Sequence, residues 1–135
     1  NLLSMISTQT IIEGITEPVI LNYFSYLNAG NFEAAADLFA LNGVLLPPFE
    51  SPLEGRDEIV DYLTLEAKGL ELYPKQGTIE LTEDGQTKIV VLGNVKTPLL
   101  GVNVSWNFIL TPNSEIAFAE IRLLASLQEL LHLKK

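Results

Sequence analysis

His132 is the only histidine in the chain, and cysteine is absent. Nucleophile–base pairs that need an imidazole or a thiolate therefore have nothing to build on, and thiolate metal sites and disulfides go with them. Carboxylates remain as acids and bases. Asp57, Glu58 and Asp61 crowd one short stretch, with Asp61 beside Tyr62; on a helix such a run reads as a solvated face. Glu120 and Arg122 stand two residues apart, so on a strand they share a face and can pair. No Gly-rich phosphate loop, dinucleotide fingerprint or cluster of metal ligands is present.

The aromatic residues carry a different chemistry. Val102, Val104, Trp106 and Phe108 alternate along one stretch and point to one side of a strand. Tyr23 has Leu27 one helical turn on. Tyr and Trp are apolar bodies that each hold one hydrogen-bond donor, and a buried donor needs an acceptor. Considered alone, these positions read as packed core.

Positioning such residues takes one domain. The 135 residues hold 47% apolar and 19% charged side chains, enough for one real core. The mean hydropathy is high for so small a chain, as an apolar-lined cavity or a buried oligomer face would make it. Eight basic against 17 acidic residues leave a net charge of −9, which disfavours nucleic acid and anionic headgroups. The chain opens on Asn1 rather than Met, as a piece of a longer chain would. It shows no secretory n-region and no membrane-length apolar run, so a cytoplasmic location is expected.

Residues 1–15 lack pattern and read as an N-terminal tail, with a single domain over residues 16–135. Thr16-Glu17-Pro18 starts a helix, with Thr16 as the cap, and Asn28-Ala29-Gly30 ends it. Asn31 caps a second helix over residues 32–39. A strand over 43–46 stops at Pro47-Pro48, which would confine it to an edge or a lip. A third helix runs from Gly55 to about Lys68. Strands follow over 77–82, 86–97, 101–110 and 115–124, separated by turn residues at Asp84-Gly85, Thr97-Pro98 and Thr111 to Ser114. A short helix from Ser126 closes the chain. Helices followed by a meander predict an α+β domain with an antiparallel sheet.

Five segments in order resemble the C-terminal domain of the orange carotenoid protein family. They are Val19-Ile20-Leu21-Asn22-Tyr23-Phe24-Ser25-Tyr26-Leu27-Asn28-Ala29, the double-proline strand Gly43-Val44-Leu45-Leu46-Pro47-Pro48-Phe49, Glu83-Asp84-Gly85-Gln86-Thr87-Lys88-Ile89, Val95-Lys96-Thr97-Pro98, and Leu123-Leu124-Ala125-Ser126-Leu127-Gln128-Glu129-Leu130-Leu131. The resemblance runs from about Thr8 to the end. It implies a nuclear-transport-factor-2-like (SnoaL-like) cone: a bent antiparallel sheet closed by three helices plus the short C-terminal one.

The same resemblance implies a non-enzymatic, non-covalent ligand, a ketocarotenoid such as canthaxanthin, echinenone or 3'-hydroxyechinenone. Tyr23 and Trp106 match the positions that donate to the ring keto oxygen, each contributing on the order of 1 kcal/mol net. Leu27, Leu70, Leu72, Val95, Pro98, Leu99 and Leu123 match apolar lining. The implied role is a cyanobacterial carrier that delivers carotenoid to helical carotenoid proteins, takes it transiently from membranes, and quenches singlet oxygen in photoprotection. A domain of this length has a radius of gyration of roughly 14 Å, so one cone encloses only part of the ligand; a homodimer sharing one carotenoid follows.

The departures are specific. The family's helical N-terminal domain has no counterpart here, which implies a stand-alone homologue, and Glu66 matches a position that pairs with that domain. Leu99-Leu100 stands where relatives carry an aromatic residue, the loop before Trp106 is short, and without Cys no redox-controlled dimer forms. Two rival readings share the cone. A SnoaL-like or ketosteroid-isomerase-like enzyme would need a pocket carboxylate beside Tyr23; Asp61 is nearest, though its helical phase turns outward. The third reading is a ligand-free dimerisation module.

Overall fold

Residues 10–124 are described in a computed structural model of the chain. Two helices open it, α1 (Pro18–Asn28) and α2 (Phe32–Ala36), followed by strands β1 (Phe39–Leu46) and β2 (Leu53–Glu54). Helix α3 (Arg56–Glu66) comes next, then β3 (Glu71–Leu81), β4 (Thr87–Lys96), β5 (Gly101–Leu110) and β6 (Ile116–Leu124). The six strands form one sheet in the order β2-β1-β6-β5-β4-β3. The expected α+β cone with three helices is what forms, and the closing helix expected from Ser126 lies outside the described residues.

Local sequence explains each element. Pro18 sits in the first turn of α1, where a missing N–H costs nothing. Glu17 rather than Thr16 is the N-cap, and no side chain caps this helix; the fixed φ of Pro18 suffices to start it. Asn31 caps α2 by accepting from the Ala34 N–H at 3.3 Å. That helix stops at Ala36, short of the expected 39, because Phe39 already belongs to β1 and is buried there.

Three expectations about the sheet need correction. Its β1–β6 pair is parallel, so the sheet is mixed rather than wholly antiparallel. The chain leaves β1 for β2 and α3 before the meander, and β6 then returns alongside β1. The Pro47-Pro48 strand is not an edge either: β2 and β6 flank it, and the prolines only end it. Finally, β3 begins at Glu71, six residues before the expected 77. Pro74 lies inside this strand, where the ladder shifts register between Pro74 and Gln76 and absorbs the missing donor as a bulge. Opposite this bulge is Gly93, where a Cβ would collide with the Tyr73 carbonyl. The bulge and the bare glycine let the sheet bend.

The bend wraps the sheet around α1 and α3. Buried residues alternate along the concave face, as Ile89, Val91 and Val95 on β4 and Val104, Trp106, Phe108 and Leu110 on β5. From the helices Ile20, Tyr23, Phe24, Leu27, Ile59 and Leu63 meet them. Ile12 and Ile15 also enter this core; the Glu13 N–H donates to the Lys75 carbonyl at 3.0 Å and docks their segment beside β3.

Candidate functional site

Where the core runs out at one end of the cone, the walls stay apart and leave a cavity of about 230 Å³. Helix α1 supplies Tyr23 and Leu27, and α3 supplies Tyr62, Leu63 and Glu66. The sheet supplies Leu72, Val95, Val102, Val104, Trp106, Ile121 and Leu123, with Leu45, Pro47 and Pro48 from the end of β1. Cross-strand register explains the grouping: Trp106 lies between Val91 and Ile121, and Val95 between Leu72 and Val102. Exposure grades along the walls. Tyr23 and Trp106 are 2% exposed at the inner end, whereas Glu66 and Leu123 are open to solvent and mark the mouth.

The two inner rings cannot drift. Phe24 packs edge-on to both, with centroids 5.3 Å from Tyr23 and 4.7 Å from Trp106, and Phe108 stands edge-on to Tyr23 at 5.2 Å. Such T-shaped contacts align the positive edge of one ring with the negative face of another. The wall opposite is clamped by Asn28, whose amide donates to the Leu72 carbonyl at 2.9 Å and accepts from the Leu72 N–H at 2.7 Å. That one side chain behaves as an extra strand residue and ties the end of α1 to the lining at Leu72.

The polar ends of the inner pair carry the chemical interest. Neither Tyr23 Oη nor Trp106 Nε1 hydrogen-bonds to any described residue, yet among the described residues no fully enclosed side-chain nitrogen or oxygen lacks a partner. Both side chains line the cavity. Burial raises the Tyr23 pKa far above the ordinary value, helped by the nearby Tyr62 hydroxyl. The phenol thus stays protonated and remains a donor. Tyr62 is raised too, first by burial and then by the carboxylates of Glu50 and Glu66. Such an arrangement offers two fixed neutral donors in an apolar enclosure, suited to a carbonyl on an apolar body.

Of the nine residues expected to meet a ligand, Tyr23, Trp106, Leu27, Leu70, Leu72, Val95 and Leu123 share this cavity. Pro98 and Leu99 do not line it: they form the tip of the β4–β5 hairpin, where both are exposed and Leu99 is 91% exposed. The turn at Thr97 carries them to the exposed hairpin tip, off the cavity wall. Tyr62, Glu66, Pro47 and Pro48 line the cavity without having been expected to. Their signals existed: Tyr62 and Glu66 are one turn apart on α3, next to Leu63 and the C-cap Ala67, and the prolines had pointed to a lip. Asp61 is exposed and outside the cavity, while Glu120 and Arg122 pair at 2.9 Å on the outer side of β6. No group of three potential metal ligands occurs among the described residues, and His132 lies outside them.

No family model matches the chain. The orange carotenoid-binding protein of Synechocystis sp. is 41% identical over 129 residues, or 93% of this chain. A solved structure of the orange carotenoid protein of Anabaena (Nostoc) sp., binding canthaxanthin, superposes with a TM-score of 0.86 at 41% identity over 92% of the chain. The chain spans 41% of the length of each of these two proteins. At 15% identity, a nuclear-transport-factor-2-like protein of unknown function from Cytophaga hutchinsonii shares the fold, with a TM-score of 0.63 over 88% of this chain and 96% of its own. The identity over nearly the whole chain and the superposition on the longer relatives agree: this chain is a homologue of the C-terminal domain of the orange carotenoid-binding proteins, with a nuclear-transport-factor-2-like fold.

Proposed function

We propose that the domain binds a ketocarotenoid without covalent attachment, one end ring in the cavity and its keto oxygen accepting from Tyr23 Oη and Trp106 Nε1. The observation that carries this is the pair of buried donors that no described residue engages, facing apolar walls. A polyene offers only its carbonyl as a polar handle, so two fixed donors set its register while the walls supply most of the affinity. At about 230 Å³ the cavity falls below the ~300 Å³ at which pockets begin to enclose a whole small ligand. A ring fits, and the remaining chain must leave through the mouth. A homodimer with one end of a symmetric diketo carotenoid in each cavity shields that chain.

On this reading the protein is a cytoplasmic carrier that takes carotenoid from membranes, delivers it to helical carotenoid proteins and quenches singlet oxygen in photoprotection. Canthaxanthin is the first ligand to try, because a homologue is seen binding it. The enzyme reading finds less support: Asp61 is exposed, and among the described residues the one carboxylate on the cavity wall, Glu66, sits at the mouth away from the inner donors. Expression in cells that make canthaxanthin tests the proposal. A co-purifying, red-shifted carotenoid band with quenching of the single Trp is expected. A colourless protein that also extracts no canthaxanthin from detergent would refute it.

A further inference from the structure

The cavity mouth is bordered by two loops that hold large apolar side chains in water. Phe49 follows the lining residues Pro47 and Pro48 and is 94% exposed. Its φ of 63° puts an aromatic residue in the left-handed region, which disfavours bulky side chains and turns the ring outward instead of back onto β1. Across the mouth, Leu99 and Leu100 lie between the lining residues Thr97 and Val102, 91% and 58% exposed. This tip is stiff. Thr97 Oγ1 accepts from the Leu99 and Leu100 N–H groups at 3.2 and 3.0 Å and donates to the Leu100 carbonyl at 2.8 Å.

We propose that Phe49, Leu99 and Leu100 form a lipid-docking rim that seats the mouth of the ligand-free protein on a neutral bilayer, so that an apolar ligand passes between membrane and cavity without crossing water. This rests on the carotenoid reading of the cavity. A net charge of −9, with Glu50 and Glu66 beside the mouth, disfavours adhesion through anionic headgroups and leaves apolar insertion as the source of contact. Three side chains on stiff tips give weak, reversible insertion, which suits loading followed by release. In the shared-ligand dimer the two mouths face each other, so lipid contact belongs to the apo protein.

Flotation of apo protein with phosphatidylcholine vesicles tests the rim by itself. Wild type should float, and the Leu99→Ser, Leu100→Ser double variant, and separately Phe49→Ser, should lose bound fraction by about tenfold or more. Vesicles rich in phosphatidylglycerol should bind less protein than neutral ones. Canthaxanthin uptake is then compared from vesicles and from detergent. The double variant should load at least about tenfold more slowly from vesicles, with unchanged affinity and spectrum when the ligand comes in detergent. Flotation or vesicle uptake at the wild-type level would overturn the rim, as would tighter binding to anionic vesicles. A variant that loses only self-association would overturn it in favour of a protein-docking face. Failure of wild type to bind canthaxanthin from detergent refutes the cavity reading, and flotation still decides the rim.

Discussion

Strand β5 presents two faces, and each borders a hollow. On the concave face, Val104, Trp106 and Phe108 look toward the helices and the cavity of about 230 Å³. Its outer face carries Ser105 and Asn107 beside Arg122, Gln76 and Thr78 around a larger hollow of about 470 Å³. By size and polarity the outer hollow would be the better site. Three of its polar groups, however, are already engaged. Asn107 donates to Ser105 Oγ at 3.0 Å, and Arg122 pairs with Glu120. The concave face has fewer polar groups, but its two buried donors engage no described residue. On the proposed function, donors that no described residue engages favour the concave face over the larger hollow, because a ligand gains little from groups that must first break a bond they already have.

The widest gap between the faces should appear on truncation. Trp106→Ala removes a ring packed on Phe24 and should cost about 3–5 kcal/mol of stability in urea titration. Asn107→Ala on the outer face should cost about 1 kcal/mol. Similar losses would mean that the outer polar ladder is structural to the same degree as the core. Next in size is the Tyr23→Phe, Trp106→Phe double variant. It should weaken canthaxanthin binding by roughly 10- to 100-fold with little change in the urea midpoint. Ser105→Ala with Asn107→Ala should leave binding unaltered. An unchanged spectrum and affinity in the Phe variant would sink the assignment of the donors.

A pH series sharpens the contrast further. The folded pKa of Tyr23 is raised above its unfolded value of about 10. Its contribution is therefore complete below pH 10 and is lost as pH rises beyond it, because only the unfolded chain then releases the proton. Stability should fall by up to about 1.4 kcal/mol per pH unit above pH 10, and Tyr23→Phe should flatten that slope. An identical slope in the variant would mean that the phenol ionises freely while folded. The smallest effect belongs to the exposed outer pair. Arg122→Ala should change stability by less than about 1 kcal/mol, and less still at high salt.

Much of this was open to reading from the sequence. Alternation placed Val102, Val104, Trp106 and Phe108 on one face because a pleated strand leaves no other choice. Helical spacing put Tyr23 and Leu27 together in the same way. The parallel β1–β6 pair was not legible, since it joins distant segments and leaves no local pattern in either. The early start of β3 was hidden for a related reason: whether a strand tolerates a proline such as Pro74 depends on the partner opposite, and Gly93 provides the room. Tyr62 and Glu66 were hidden among the charges of α3, and only the packing of that helix over the cone decides which side of it meets the cavity.

By itself the sequence determined which side chains share a face, which of them can donate, and that no thiol or second imidazole exists to react. These properties are local, set by residue type and backbone period. Only the tertiary structure decided which hydrogen bonds are already made and which donors no described residue engages. That outcome depends on enclosure by elements far apart in the chain: Tyr23 on the first helix and Trp106 on the fifth strand meet one cavity because the sheet packs on that helix, with Phe24 edge-on to both rings.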